Sequence, residues 1–418
     1  MEKYTTLKSD KHYFIELFFC MLFLLPFLET RGLNELLMIR GGILRFATTI
    51  FFCGRMGVMV IMILFMFATK KKPSKITFCI LGYYLYMLLI YFVKHANGNN
   101  TLGNTVYVIG LLMLLEFYLH RDLNIFIKAF VYLASVIVFL NIITVLLFPD
   151  GMYENMRGDT GNWFLGHYNS HFFTVLPWLT MFIFCSLKKN GRLRWHIVLF
   201  TMILIVTTYL AGSRTSSISL MIFLLALIIS FKTKKIPFPG AGAIITGSAI
   251  LSYSMVVLHI QEYFADFIHN VLHRDVSLTG RTSIWNAALN IFWQSPIIGN
   301  GAAIYMPNIS SDWSTTQAHN TFLNVLVNGG IIGMILFFLI FILVVPEMRK
   351  AKQHPYSKLF VVTLLAYGVS FLTEMVQLEH MLMMLLFFIY HVNNLIDIMP
   401  MHQRKQKIAS MRIYLERK

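Results

Sequence analysis

The chain has 418 residues, 57% of them hydrophobic and only 13% charged, with 35 Lys and Arg against 19 Asp and Glu for a formal charge of +16. Soluble domains carry roughly a quarter of their residues as charges, so this surface cannot cover a globule in water. A soluble enzyme, a disordered chain and a disulfide scaffold are excluded; the expectation is an all-α, polytopic membrane bundle.

Apolar runs able to cross a hydrocarbon layer of roughly 30 Å, at about 20 residues each, fall at 13–28, 48–69, 77–93, 104–119, 124–148, 172–187, 195–212, 216–231, 236–259, 321–346, 358–377 and 381–398. These are twelve predicted spans in a single membrane domain, 1–418. With both termini cytoplasmic, 25 Lys and Arg fall on the inside segments, among them Lys70, Lys71 and Lys72, and only 8 on the outside ones. Positive charge marks cytoplasmic loops, which supports that orientation. Lys11 leads into a run that lacks a small-residue cleavage site and is followed by eleven more spans, so no cleavable signal is read. The four cysteines, Cys20, Cys53, Cys79 and Cys185, lie in or at the edge of apolar runs without a CxxC spacing and read as small buried hydrophobes. Glu16, Arg55, Glu116, Lys128 and Glu374 lie in or near spans, where charges face the bundle and pair. They are read as structural ion pairs, with Arg55 or Glu374 the ones placed to border a lipid cavity. The basic tail, 399–418, suits the anionic lipid of the cytoplasmic leaflet at about 1 kcal/mol per charge.

Three outside segments remain, near 29–47, at 149–171 and at 260–320. The last is far longer than an ordinary connection, and such loops carry function or structure of their own. Within it, residues 281–294 place Ile284, Trp285, Ala288, Leu289 and Phe292 on one stripe with Thr282, Asn286 and Asn290 opposite, predicting an amphipathic helix. Thr279 and Gly280 stand at its start and Ser295-Pro296 stops it. Arg281 then sits at a helix N-terminus, where free N–H groups favour an anion and a guanidinium adds a bidentate fork; a surface arginine is the plainer reading. Arg214 occupies a tight turn between two apolar runs, where a charge is a functional hypothesis or else snorkels to lipid phosphate. His319, at the mouth of the tenth span, is half-solvated and can be neutral near pH 7, as a general base must be. The alternative is a histidine ordered by an interfacial hydrogen bond.

Gly280-Arg281-Thr282-Ser283-Ile284-Trp285, Pro296-Ile297-Ile298-Gly299-Asn300-Gly301, His319-Asn320 and Gly329-Gly330-Ile331-Ile332-Gly333, in this order, resemble the signature loop of the O-antigen ligase and O-antigen polymerase family. Gly212-Ser213-Arg214-Thr215 resembles the arginine motif before that loop, and Gly166-His167-Tyr168-Asn169 the family's more variable earlier motif. The resemblance implies a glycosyltransferase of the bacterial cytoplasmic membrane, active on the outer face, metal-free, without cofactor and inverting. Its donor is a glycan on a polyprenyl diphosphate and its acceptor a sugar hydroxyl. Arg214 and Arg281 would hold the diphosphate and His319 would take the proton. Arg157, His167, Asn169 and Asn320 are further candidate substrate contacts, although a solvated loop arginine is the plainer reading of Arg157. There is no Asp-x-Asp pair, and the outside acids, from Asp150 to Asp312, are scattered without metal-ligand spacing. Besides membrane lipids, the partners implied are flippase and chain-length regulator proteins; nucleic acid is not among them. A Lys-, Ile- and Asn-rich composition, as in a low-GC host, favours a cell-surface polysaccharide polymerase. The alternatives are a ligase acting on a lipid A core or other acceptor and, from another class, a lipid-linked oligosaccharide flippase.

Overall fold

The computed structural model describes residues 10–94, 100–155, 158, 160–232, 239–264, 281–301, 306–307, 314–315, 317–376 and 380–398. The basic tail 399–418, Arg157 and the cap pair Thr279-Gly280 lie outside the described residues. The protein is helical. In chain order the helices are α1 (Asp10–Leu24), α2 (Arg31–Arg40), α3 (Gly42–Thr69), α4 (Lys75–Val93), α5 (Asn100–Leu119), α6 (Leu123–Leu147), α7 (His171–Asn190) and α8 (Trp195–Leu210). They continue as α9 (Arg214–Lys232), α10 (Ala241–Val256), α11 (Arg281–Gln294), α12 (Thr321–Lys350), α13 (Pro355–Ser370), α14 (His380–Tyr390) and α15 (Val392–Ile398). Two short hairpins interrupt them: β1 (Asn162–Trp163) with β2 (Gly166–His167), and β3 (Met306–Pro307) with β4 (Ser314–Thr315).

Each of the twelve apolar runs overlaps one of these helices. Seven stretches among the described residues are long and apolar enough to cross a membrane, or up to nine if each of two bent pairs is one span. The bent pairs are His12–Leu28 with Arg31–Arg40, at 67°, and His380–Tyr390 with Val392–Ile398, at 64°. Two runs are shorter apolar helices, α8 and α10. The expected run 358–377 is helical only to Ser370, after which segment 371–376 leaves the helix.

The chain divides into two compact units, one drawn from residues 1–72, 110–213 and 394–418 and the other from 73–109 and 214–393. In the first, Arg55 pairs with Glu29 at 2.9 Å and the exposed Arg121 with the buried Glu16 at 2.6 Å, while the Lys128 ammonium, expected in an ion pair, donates to the Tyr13 hydroxyl at 2.8 Å. The β1–β2 hairpin lies over the end of α6. The Trp163 indole donates to the Phe148 carbonyl and the Leu165 amide to the Asn141 side chain. Helix α2 is clamped against this hairpin at Gly32, where a Cβ would come within 2.2 Å of the Trp163 carbonyl oxygen. The Tyr153 hydroxyl donates to Glu35 at 2.7 Å, and burial together with that carboxylate pushes its phenol up from its ordinary value.

In the second unit α4, α9, α10, α13 and α14 pack around α12 and one another. Small residues let the helices approach closely, as they do between helices in lipid. A Cβ on Gly368 of α13 would come within 2.5 Å of the Ser248 hydroxyl of α10. Helix α11 buries the stripe read from its sequence: Ile284, Trp285, Ala288 and Phe292 join Val256, Ala318, Leu323 and Val327 in one apolar cluster. Burying such side chains contributes roughly 1.5–3 kcal/mol each for the larger ones, enough to fix α11 against α10 and α12.

Candidate active site

The residues that carry charge into the second unit sit at helix ends. Arg214 opens α9 and is exposed, Arg281 opens α11, and His319 lies one residue before Asn320, which caps α12. The chain between α13 and α14 supplies a fourth group, Glu374.

The cap explains why the end of α12 is so firmly built. Asn320 is buried, its Oδ1 accepting from the Leu323 amide at 3.0 Å and from the Ser252 hydroxyl at 2.9 Å, its Nδ2 donating to the Leu372 carbonyl at 3.1 Å. The first N–H groups of a helix have no partner within it, and here the next chain segment provides one: the Thr321 amide donates to the Phe371 carbonyl at 2.8 Å. The Thr321 hydroxyl donates to the Glu374 carbonyl at 2.7 Å and accepts from the Val376 amide at 3.1 Å. Segment 371–376 is thereby laced onto the start of α12, and a hydroxyl contact between Thr373 and Thr215, at 3.4 Å, reaches the residue after Arg214. Arg214, Arg281 and His319 are all attached to this one end of the unit.

Glu374 is the link between two of them. Its Oε1 accepts from Arg281 Nη2 at 3.2 Å, and its Oε2 lies 3.9 Å from His319 Nδ1. The carboxylate side chain is 7% exposed, against 19% for Arg281 and 21% for His319. At 3.9 Å the histidine contact is too long for a hydrogen bond, and Nδ1 has no other partner among the described residues. His319 has φ +47°, the left-handed region, where a non-glycine side chain is strained. Such strain gathers at sites of function, where surrounding bonds over-determine it; here the Asn320 cap and segment 371–376 do so.

Glycines of the remaining motifs hold the frame. Helix α12 is broken at Gly330, with φ +62° and ψ −161°, and the turn at 296–301, directly after α11, is hydrogen-bonded into the break. The Ile331 and Ile332 amides donate to the Pro296 and Ile297 carbonyls at 2.9 and 3.1 Å, and the Asn300 and Gly301 amides to Val327 and Asn328 at 2.9 and 3.0 Å. The Tyr86 hydroxyl bonds both strands of the crossing, at Ile298 and Gly329. Each glycine is required by the other segment: a Cβ on Gly299 would come within 2.3 Å of the Asn328 carbonyl oxygen, and one on Gly330 within 2.3 Å of that of Ile297.

The other candidates are placed elsewhere. His167 is half-buried in β2 with its ring against Tyr168, and Asn169 Oδ1 accepts from the Ser213 hydroxyl at 3.4 Å; both belong to the first unit. Asn320 is wholly engaged as a cap. Glu374 was read from the sequence as a structural pair placed to border a lipid cavity, and not as the partner of Arg281 or His319, because Arg281 lies 93 residues away and no local motif announces it. Among the described residues no three His, Cys, Asp or Glu side chains gather as a metal site.

A family model described as O-antigen ligase matches residues 198–338, from α8 into α12, and so includes Arg214, Arg281 and His319 but stops short of Glu374. No curated protein matches the chain.

Proposed function

We propose, from the match of residues 198–338 to a family model described as O-antigen ligase, that this membrane protein is a cell-surface polysaccharide polymerase of the bacterial cytoplasmic membrane. It passes a polyprenyl-diphosphate-linked glycan to a sugar hydroxyl of the acceptor repeat on the extracytoplasmic face. The observation that carries the reading is the attachment of Arg214, Arg281 and His319 to one end of one helical unit, with Arg281 and His319 meeting at Glu374.

In the proposed step the acceptor oxygen attacks the anomeric carbon while the bond from that carbon to the diphosphate oxygen breaks, inverting the centre. The electron pair leaves with the diphosphate, and the hydroxyl proton goes to His319 through Nε2, the nitrogen that does not face Glu374. A lipid diphosphate is already a capable leaving group, so the main requirement is fixed positive charge where its negative charge grows. Arg281, at the first residue of α11, adds the helix N-terminus to its guanidinium. Arg214 stands likewise at the first residue of α9. Neither arginine nor the base calls for a metal or other cofactor. Twelve spans with both termini cytoplasmic complete the reading, supported by the overlap of every apolar run with a helix and by the distribution of Lys and Arg. Membrane lipids surround the bundle, and flippase and chain-length regulator proteins are the partners such a polymerase would work beside.

The test is reconstitution of purified protein with a polyprenyl-diphosphate oligosaccharide and no other protein. Longer lipid-linked glycans with stoichiometric release of polyprenyl diphosphate are expected, at an unchanged rate in chelator. Transfer only to a lipid A core makes the protein a ligase; movement of intact donor across vesicles without bond formation makes it a flippase.

A further inference from the structure

Glu374 stands between the group assigned to bind the diphosphate and the group assigned to take the proton. Its two oxygens are not equally engaged: one is hydrogen-bonded to Arg281 at 3.2 Å, the other stops at 3.9 Å from His319 Nδ1. That nitrogen is buried and has no hydrogen-bond partner among the described residues. An imidazole acting as base needs its far nitrogen held by an acceptor, which sets the tautomer and stabilises the cation that forms. The carboxylate that faces it is tied to the arginine instead. A diphosphate is a stronger and doubly forked partner for a guanidinium than one carboxylate oxygen, so donor binding competes directly with Glu374 for Arg281. The carboxylate is nearly closed to water and cannot be left a lone buried charge; the cation it can move to is His319 as the proton arrives. Closing 3.9 Å to hydrogen-bond length takes about 1 Å, within the reach of a side-chain rotation.

We propose that Glu374 is a positioning residue that couples the two halves of the reaction: donor diphosphate displaces it from Arg281, and it then engages His319 Nδ1 and readies the base. The base is thereby oriented only when a donor is present. This rests on the functional reading above for the identity of the donor; the geometry of the three side chains is independent of it.

The experiment measures polyprenyl diphosphate binding and single-turnover transfer in full-length protein, comparing wild type with Glu374→Gln. Removing the competing charge is expected to tighten polyprenyl diphosphate binding several-fold while slowing transfer about 100-fold or more, toward the roughly 10⁴-fold that a misoriented base can cost. In an Arg281→Ala background the tightening should vanish, because the competition runs through that guanidinium, while the loss of rate persists. A merely structural glutamate would weaken binding and rate together. Weaker binding, or an unchanged rate, overturns the coupling. If Glu374→Gln does not fold, Glu374→Asp decides: a retracted carboxylate should bind donor at least as tightly as wild type and transfer more slowly, and equal losses in both refute the proposal. Wild-type protein that binds no polyprenyl diphosphate removes the functional reading itself, whereas a Glu374→Gln variant that binds and transfers as the active wild type does removes the coupling alone.

Discussion

At φ +47°, His319 occupies backbone that costs a non-glycine residue on the order of 1–3 kcal/mol, and the side chain of the next residue makes three hydrogen bonds that fix the chain there. A histidine needed only for an interfacial hydrogen bond has no reason to be held so. His319→Ala should therefore lower transfer by about 10²–10⁴-fold, the usual contribution of a general base, with expression and polyprenyl diphosphate affinity near wild type, measured on purified protein. Arg281→Lys should cost nearly as much as Arg281→Ala, about 10²–10³-fold in transfer rate. Lysine keeps the charge but cannot present two parallel N–H groups to a phosphate, and a lysine variant at wild-type rate would reduce Arg281 to a point charge. His319 and the two arginines stand out in the sequence as a base and charges beside apolar runs and by the family resemblance; what the structure adds is that all three attach to one end of the second unit. Glu374 was visible as an acid near a span but not as their partner, since burial and a contact across 93 residues make the pairing, and neither has a local signature.

The elements that carry these side chains are set by exchange of backbone bonds between two segments. Amphipathic periodicity located α11 and four of the five residues assigned to its buried face, Leu289 being only partly buried, because a 3.6-residue repeat is written locally. The purpose of Pro296 to Gly301 and of Gly329 to Gly333 was not legible: Gly299 and Gly330 are each demanded by a carbonyl on the other segment. The end of the run 358–377 was overestimated for a related reason, since segment 371–376 is apolar enough to extend a helix but its backbone groups are taken by the start of α12. Gly330→Ala should thus lower the thermal unfolding temperature in detergent by several degrees and reduce transfer, because a Cβ would meet the Ile297 carbonyl oxygen and the φ of +62° is unsuited to alanine. Gly247→Ala is the control. It lies inside α10 with nothing within 4 Å of the added Cβ, so it should leave stability unchanged or raise it by about 0.5–1 kcal/mol. Equal losses from both would mean that the interlock at Gly330 contributes nothing.

For the molecule as a whole, the question is whether the charged cluster faces one side of the membrane, and the short helices α8 and α10 decide it. Each has 16 residues, about 24 Å of helix, against roughly 30 Å of hydrocarbon. A span that short is accommodated by local thinning of the bilayer at modest cost. Contacts within the second unit require α10 to run opposite to α9: Thr215, at the start of α9, touches segment 371–376, which is bonded to the start of α12, and Ser252, near the end of α10, is bonded to that same start. The beginning of α9 and the end of α10 therefore lie at one end of the unit, so if α9 crosses the membrane, α10 returns across it. In a cysteine-free background, a cysteine at Tyr263, which is 86% exposed beyond α10, should react with an impermeant thiol reagent in intact cells. A cysteine at Gly240, the exposed residue before α10, should react only after the membrane is opened. Labelling of both from the same side would leave α10 in the interface. It would break the proposed alternation of spans, and with it the proposed assignment of the reaction to the outer face.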